Sequence, residues 1–91
     1  MSETSKVSVI IPAYNSEQHI RRLLASLVEQ TYRDFEVILV DDCSTDNTYK
    51  MAVSFMEENR ISYRALRLPY NMGESCARNE GLKMAHGKYV C

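Results

Sequence analysis

Two adjacent carboxylates stand at the end of a β-branched run in the first half of the chain. Asp41 and Asp42 directly follow residues 37–40, and a polar turn over residues 43–48 opens the next helical pattern. Carboxylates at the carboxyl end of a buried strand are fixed acceptors for the N–H and O–H groups of a bound molecule, because open α/β sheets bind ligands at that edge. The alternative is a pair of solvated strand-end carboxylates that cap the following helix. Both interpretations stay open for the pair alone.

Three further side chains add to a possible ligand site, with Asp42 as the stronger acceptor for a base N–H or a ribose hydroxyl. Tyr14 follows the first apolar strand, where its ring can lie against a nucleobase, although half-buried packing is the ordinary alternative. Glu17 faces the same crevice from a first helical turn, where the helix dipole also favours it. Arg78 offers a planar guanidinium to a phosphate or a base carbonyl, or it simply pairs with Glu74.

The apolar pattern predicts an α/β fold that positions these residues. The expected elements are, in order, strand 7–11, a helix with apolar positions at 20, 23, 24, 27 and 28, strand 35–40, helix 46–59, strand 61–68, helix 74–85 and a strand that begins at 88. Strands joined through helices predict a Rossmann-like parallel sheet with right-handed crossovers, βαβαβα plus the start of a fourth strand. The third strand is less continuously apolar, as an edge strand would be.

The ends of the predicted helices carry recognisable signals. Asn15 or Ser16 can cap the first helix, and Ser44, Thr45 and Asp46 can each accept from free N–H groups of the second. Ala77 and Gly81 give the third helix a small-residue face for close approach to the sheet, and Gly87 can stop that helix.

Composition limits the classes of function. The 91 residues carry 11 basic and 12 acidic side chains, so the net charge of −1 gives no field that favours nucleic acid. Cys43, Cys76 and Cys91 follow no zinc-ligand spacing and fit a reduced, cytoplasmic chain. Residues 1–6 are polar and expected to be flexible, without the apolar core of a signal peptide, and no segment has the length of a membrane span. Gly-rich phosphate loops are absent, and His19 and His86 fit structural roles.

Five sequence motifs occur in order along nearly the whole chain. They are Val7-Ser8-Val9-Ile10-Ile11-Pro12-Ala13-Tyr14-Asn15, Glu29-Gln30-Thr31-Tyr32, Phe35-Glu36-Val37-Ile38-Leu39-Val40-Asp41-Asp42-Cys43-Ser44-Thr45-Asp46, Asn71-Met72-Gly73 and Ala77-Arg78-Asn79-Glu80-Gly81. This set resembles the family-2 inverting glycosyltransferases of the GT-A fold. The resemblance implies that residues 1–91 are a single partial domain, the N-terminal nucleotide-binding half.

The same resemblance implies a function and roles for named residues. The implied reaction is transfer of a sugar from a nucleotide-diphosphate donor, usually UDP-linked, to a saccharide or lipid acceptor in polysaccharide or glycoconjugate synthesis. Seven residues are implied in substrate binding: Pro12, Ala13 and Tyr14 line the base pocket, Asp42 accepts from the uracil N–H, Arg78 approaches the base or diphosphate, and Asp41 and Glu17 support the wall.

The family pattern places the remaining chemistry beyond residue 91. An Asp-x-Asp motif that binds Mg²⁺ or Mn²⁺ on the donor diphosphate, and the catalytic base, are both expected there. No catalytic residue and no metal ligand are therefore predicted within the chain, and the 91-residue chain alone is expected to be inactive.

Two expectations concern assembly and location. The strand that begins at 88 is expected beside the first strand, and its shortness would leave an apolar edge over residues 7–11 for self-association. The expected location is the cytoplasm, at the inner face of a membrane through other regions or partners. The alternative to an enzyme is a non-catalytic nucleotide-binding or assembly module.

Overall fold

A computed structural model describes residues 7–29, 35–85 and 89–90, and the side chains of the first two ranges. The elements are β1 (Val7–Ala13), α1 (Ile20–Glu29), β2 (Phe35–Asp41), α2 (Thr48–Glu58), β3 (Tyr63–Arg67), α3 (Glu74–Met84) and β4 (Tyr89–Val90). The predicted flexible start at 1–6, the helix stop at Gly87 and the strand start at Lys88 lie outside the described residues.

The strands in the described ranges form one parallel sheet in the order β3-β2-β1-β4. The predicted parallel α/β fold is therefore confirmed, as are the edge position of β3 and the place of β4 beside β1. All seven residues of β2 are buried, because a central parallel strand is covered by neighbours in the sheet and by helices on both faces.

The core is divided between the two faces of the sheet by the alternation of side chains along β2. Val37 and Leu39 lie in a cluster with buried residues of α1 and α2, among them Leu24 and Met56. Residues 38 and 40 point to the opposite face, where they form a smaller cluster with α3. Two helices thus cover one face, and α3 covers the other.

Close packing of α3 follows from its small residues, as predicted. Ala77 is fully buried. A Cβ atom added at Gly81 would lie 2.5 Å from Cγ2 of Ile10 and 3.3 Å from Cγ2 of Val40. Since real Cβ atoms do not approach that closely, only glycine allows α3 to sit at this distance from β1 and β2.

The start and apolar face of α1 differ from the prediction. Ile20 and Leu24 are buried as expected, but Leu23 is 46% exposed and lies over a shallow groove along the β1 edge. The side-chain caps are also wrong, since Ser16 Oγ donates to the Tyr14 carbonyl and Asn15 Oδ1 accepts from Thr45. The carbonyl of Ser16 accepts from the N–H groups of residues 19 and 20 instead.

Several other boundaries shift for identifiable reasons. Helix α2 begins two residues later than predicted, because Asp46 accepts from the N–H and hydroxyl of Thr48 while Asn47 is still outside helical geometry. It ends before Asn59, and Arg60 follows in the left-handed region with φ 54°. Strand β1 continues through residues 12 and 13, which pair with residues 40 and 41 of β2. Strand β3 is shorter than the predicted 61–68.

Candidate functional site

A cavity of about 500 Å³ opens at the carboxyl ends of β1 and β2, beside the amino end of α3. Ligands of open α/β sheets bind at this edge, and the volume lies in the range of small-molecule sites. The lining residues come from the end of β1, from three loops and from α3: Pro12, Ala13, Tyr14, Ser16, Asp42, Asn71, Gly73, Glu74 and Ala77. Four of the seven residues singled out from the sequence meet here, namely Pro12, Ala13, Tyr14 and Asp42.

Asp42 forms the floor of the cavity and holds the loop between β3 and α3. It is 3% exposed. Its Oδ1 accepts from the Met72 N–H at 2.7 Å and its Oδ2 from the Gly73 N–H at 2.9 Å. Its own N–H donates to the carbonyl of Ala13 at 2.8 Å. Because a carboxylate has about four acceptor sites, these two bonds leave capacity for a donor in the cavity.

Gly73 is placed by backbone geometry that other residues rarely adopt. Its φ is 94°, and it stands directly before the first residue of α3. Glycine populates this region without the steric penalty of a Cβ atom. This conformation turns the Gly73 N–H to Asp42 and brings the first turn of α3 to the cavity.

Tyr14 and the residues before it form the opposite side of the cavity. Tyr14 is one of the lining residues and is 48% exposed. Pro12 and Ala13 end β1 beneath it. A half-exposed ring at the mouth of a cavity can stack on the flat face of a base.

Asp41 lies outside the cavity lining and makes a different set of contacts. It is fully buried. Its Oδ1 accepts from Ser44 Oγ at 2.6 Å and its Oδ2 from the Ser44 N–H at 2.9 Å. Arg67 Nε lies 3.6 Å from Oδ2, and Arg67 Nη2 donates to the Ser44 carbonyl at 2.8 Å. The buried charge is thus compensated by hydrogen bonds and a partner cation.

Glu17 lies in a second, polar cavity of about 430 Å³ with Asp46. Its Oε1 accepts from the Asn47 N–H at 3.1 Å, and its own N–H donates to Asp46 Oδ2 at 3.2 Å. The hydrogen bond from the Thr48 hydroxyl lowers the pKa of Asp46, together with backbone N–H donors. These contacts make the Glu17 side chain a link between two loops.

Arg78 lies on α3 one turn beyond Glu74 and is not part of the cavity lining. Its Nη2 is 3.9 Å from Oε2 of Glu74, and both side chains are well exposed. Glu74 itself lines the cavity. A pair this exposed and this long contributes little to stability, so the guanidinium is available to a competing anion.

Sequence reasoning missed part of the site. Glu74, Ser16 and Ala77 line the cavity without having been proposed for it. The motif Asn71-Met72-Gly73 is visible in the sequence, but its side-chain types do not show that the N–H groups of residues 72 and 73 donate to Asp42. A glycine directly before a helix start is the signal that would have marked this close approach.

Two absences concern the described part of the chain alone. Over residues 7–29 and 35–85, no group of three or more His, Cys, Asp or Glu side chains is arranged to hold a metal ion. The donors present there do not fit a divalent cation. No helix in these ranges is both long and apolar enough to cross a membrane.

The parallel sheet, with a ligand-sized cavity at the carboxyl ends of its central strands, defines a Rossmann-like α/β domain. Residues 8–91 match the family described as "Glycosyl transferase family 2". The chain belongs to this family, and its fold is the one found in GT-A glycosyltransferase structures.

Known proteins of this kind are similar over nearly the whole chain. "Uncharacterized glycosyltransferase YibD" of Escherichia coli K12 is 42% identical over 92 residues, which is 99% of this chain and 26% of that protein. The structure of Staphylococcus aureus TarS 1-349 in complex with UDP has a TM-score of 0.86 at 42% identity, over 93% of this chain and 25% of that one.

An archaeal structure is similar at lower identity. Mannosyltransferase PcManGT from Pyrobaculum calidifontis, in complex with GDP-Man and Mn²⁺, has a TM-score of 0.89 at 32% identity and covers 98% of this chain and 27% of that one. The chain thus spans about a quarter of the length of YibD, of the TarS 1-349 chain and of the PcManGT chain.

Proposed function

We propose that this chain is the nucleotide-binding part of a glycosyltransferase that takes a UDP-type sugar donor. The observation that carries the proposal is that Asp42 and Tyr14 line one cavity at the carboxyl ends of β1 and β2. The TarS structures with UDP and with UDP-GlcNAc, each at a TM-score above 0.8, support a uridine nucleotide. PcManGT binds GDP-Man, so nucleotide diphosphates are common to these neighbours.

The proposed contacts assign a part of the donor to each wall of the cavity. Asp42 accepts a hydrogen bond from the uracil ring N–H with the capacity that its two backbone bonds leave. Tyr14 stacks on the base above Pro12 and Ala13. Arg78 leaves Glu74 and approaches the diphosphate. Asp41 and Glu17 act from behind the wall, through the hydrogen bonds that they make in the neighbouring loops.

The proposed activity belongs to the whole protein. Its reaction is transfer of the sugar to a saccharide or lipid acceptor during polysaccharide or glycoconjugate synthesis. The acceptor site, the catalytic base and the ligands of a divalent metal such as Mn²⁺ lie outside residues 1–91, which form one partial domain. The 91-residue chain binds nucleotide but transfers no sugar. The proposed location is the cytoplasm, at the inner face of a membrane reached through other regions or partners.

A calorimetric titration with UDP tests the proposed site. Wild-type chain is expected to bind UDP without Mn²⁺. Tyr14→Ala is expected to weaken binding by about 1–3 kcal/mol, roughly five- to 150-fold in Kd, because the stacked ring is lost. Tyr70→Ala is the matched control, since Tyr70 is 63% exposed and is not among the cavity residues. An equal loss in both variants, or no binding by folded wild type, would contradict the site.

The isolated chain is also proposed to self-associate through the edge of β1. Strand β4 pairs with Val7 and Ser8, and within the described ranges no strand pairs with the rest of that edge. Unpaired strand edges are templates for another chain. Sedimentation at high concentration measures the association, and a monomer under all conditions would count against it.

A further inference from the structure

The wall of the cavity that carries Tyr14 is held by a chain of hydrogen bonds that begins at a buried carboxylate. Asp41 Oδ1 accepts a hydrogen bond from Ser44 Oγ at 2.6 Å. Ser44 Oγ in turn accepts from the Asn15 N–H at 2.8 Å. Ser44 is 2% exposed and Asp41 fully buried. A single hydroxyl group therefore connects the end of β2 to the residue that follows Tyr14.

Asn15 is held from a second direction as well. Its Oδ1 accepts from the Thr45 N–H at 2.8 Å and from Thr45 Oγ1 at 3.3 Å. Its φ is 47°, in the left-handed region. Asparagine is among the L-residues that enter this region most readily, because its short polar side chain can form local hydrogen bonds there. Contacts with residues 44 and 45 are what stabilise the turn at Asn15.

The conformation at Asn15 decides where the preceding side chain points. Tyr14 is 48% exposed, so packing does not fix its ring as it would fix a core side chain. The peptide link to Asn15 orients the backbone of Tyr14, whose carbonyl also accepts from Ser16 Oγ at 3.1 Å. Loss of the Ser44 contact would leave the turn held only by the remaining contacts, such as those of Thr45 with Asn15, and would allow the ring more orientations.

We propose that Asp41 and Ser44 are positioning residues for nucleotide binding, which hold the Asn15 turn so that the Tyr14 ring stands over the cavity. Ser44 is the central group because its hydroxyl both donates to Asp41 and accepts from Asn15. Asp41 fixes the direction of that hydroxyl, and Arg67 holds the Ser44 carbonyl from the other side. This inference rests on the proposed nucleotide site and adds the residues that shape it.

The first test is a double-mutant cycle in UDP affinity, with Ser44→Ala, Tyr14→Ala and the double variant. Ser44→Ala removes the bonds of the hydroxyl to Asp41 and Asn15, and the loss of the bond to Asn15 is expected to raise the Kd roughly fivefold. In the Tyr14→Ala background the same change is expected to alter the Kd by less than about twofold, because the ring through which Ser44 acts is gone. Equal effects of Ser44→Ala in both backgrounds would overturn the inference and leave the proposed function intact.

Ser8→Ala is the matched control for lost stability. Ser8 is a fully buried serine whose hydroxyl donates to Glu36 Oε2 at 2.7 Å, near the amino ends of the strands and away from the cavity. The control removes the same kind of bond as Ser44→Ala, and it is expected to leave the Kd for UDP unchanged. If Ser8→Ala weakens UDP binding as much as Ser44→Ala does, the effect is general destabilisation and the inference is overturned.

A measurement without ligand separates this inference from the proposed function. The aromatic NMR resonances of Tyr14, assigned with Tyr14→Phe, are expected to shift or broaden in Ser44→Ala and to stay unchanged in Ser8→Ala. Asn15→Ala is an exposed second variant that keeps the buried serine, and it is expected to give the same change in Tyr14. Unaltered Tyr14 resonances in both Ser44→Ala and Asn15→Ala would overturn the inference, whether or not the wild type binds UDP.

Discussion

The cavity has two walls that are built in opposite ways, although adjacent carboxylates hold them. The Tyr14 wall comprises residues 14–17 with residues 44–48 behind them, and the Gly73 wall comprises residues 71–74. Asp41 supports the Tyr14 wall because it accepts a hydrogen bond from the hydroxyl of Ser44, which in turn accepts from the Asn15 N–H. Asp42 supports the Gly73 wall because it accepts hydrogen bonds from the N–H groups of residues 72 and 73. Alternation along the strand sends the two carboxylates to different loops.

The two walls differ in how many independent contacts support them. The Tyr14 wall has links besides Ser44, since the Ser16 N–H donates to Thr48 Oγ1 at 2.7 Å and Glu17 exchanges hydrogen bonds with residues 46 and 47. The Gly73 wall is held mainly by the hydrogen bonds that Asp42 accepts. The ion pair between Glu74 and Arg78 is exposed, and its N–O distance of 3.9 Å is long. We therefore expect the first wall to be preformed for a flat base and the second to adjust to a charged diphosphate.

The largest predicted effect comes from Asp42→Ala. This change removes two hydrogen bonds to a charged acceptor, and the free energy of unfolding is expected to fall by about 3 kcal/mol. Hydrogen exchange should accelerate at the amides of Met72 and Gly73 and stay unchanged at Asn15 and Thr45. Urea denaturation and amide exchange measure the two effects. Acceleration of equal size in both walls would show that they are not held independently.

A smaller effect, an increase in UDP affinity, is predicted for Glu74→Gln. The change removes a negative charge from the cavity lining and frees Arg78 for the diphosphate, so UDP is expected to bind more tightly, by about 0.2–1 kcal/mol. Glu80→Gln is the matched control, because Glu80 forms a comparable ion pair with Lys83 further along α3. Titration of both variants with UDP makes the comparison. Weaker binding by Glu74→Gln would mean that its charge helps to hold the ligand.

The smallest effect concerns pH and the Tyr14 wall. The Thr48 hydrogen bonds lower the pKa of Asp46 below its usual 3.8. A carboxyl whose pKa is lower in the folded state stabilises the fold above 3.8, and this contribution is lost as the pH falls through the lowered value. Wild type is therefore expected to be more stable than Asp46→Asn at neutral pH, with the difference shrinking below 3.8. A stability difference between wild type and Asp46→Asn that stays constant as the pH falls from neutral to below 3.8 would contradict the lowered pKa of Asp46.

Much of the fold was predictable because periodicity reflects burial. The continuous apolar run of β2 identified a buried strand, and the small residues Ala77 and Gly81 identified the helix face that packs on the sheet. Boundaries were harder, because side chains compete for the backbone groups at element ends. Asp46 bonds to Thr48 and delays α2, and Pro12 continues β1 because the backbone of residues 12 and 13 still pairs with β2.

The site was predictable where side chains carry the chemistry and not where the backbone does. Tyr14 and Asp42 were singled out because a ring and a carboxylate have recognisable uses at a strand end. The hydrogen bonds that Asp42 accepts from the N–H groups of the β3–α3 loop depend on the path of that loop between β3 and α3. Ser44 is an ordinary turn residue in the sequence, and its link to Asn15 spans 29 positions. Contacts at such separation follow from the packed fold rather than from local pattern.

The central claim is that UDP binds between the two walls, and mapping of amide chemical shifts by NMR tests it most directly. On titration with UDP, the account predicts the largest shifts at the amides of Tyr14, Asp42, Met72 and Gly73. Amides at the far end of the sheet, such as that of Ser62, should stay in place. Shifts centred on the second cavity around Glu17 and Asp46, or no shifts in a folded chain at saturating UDP, would contradict the account.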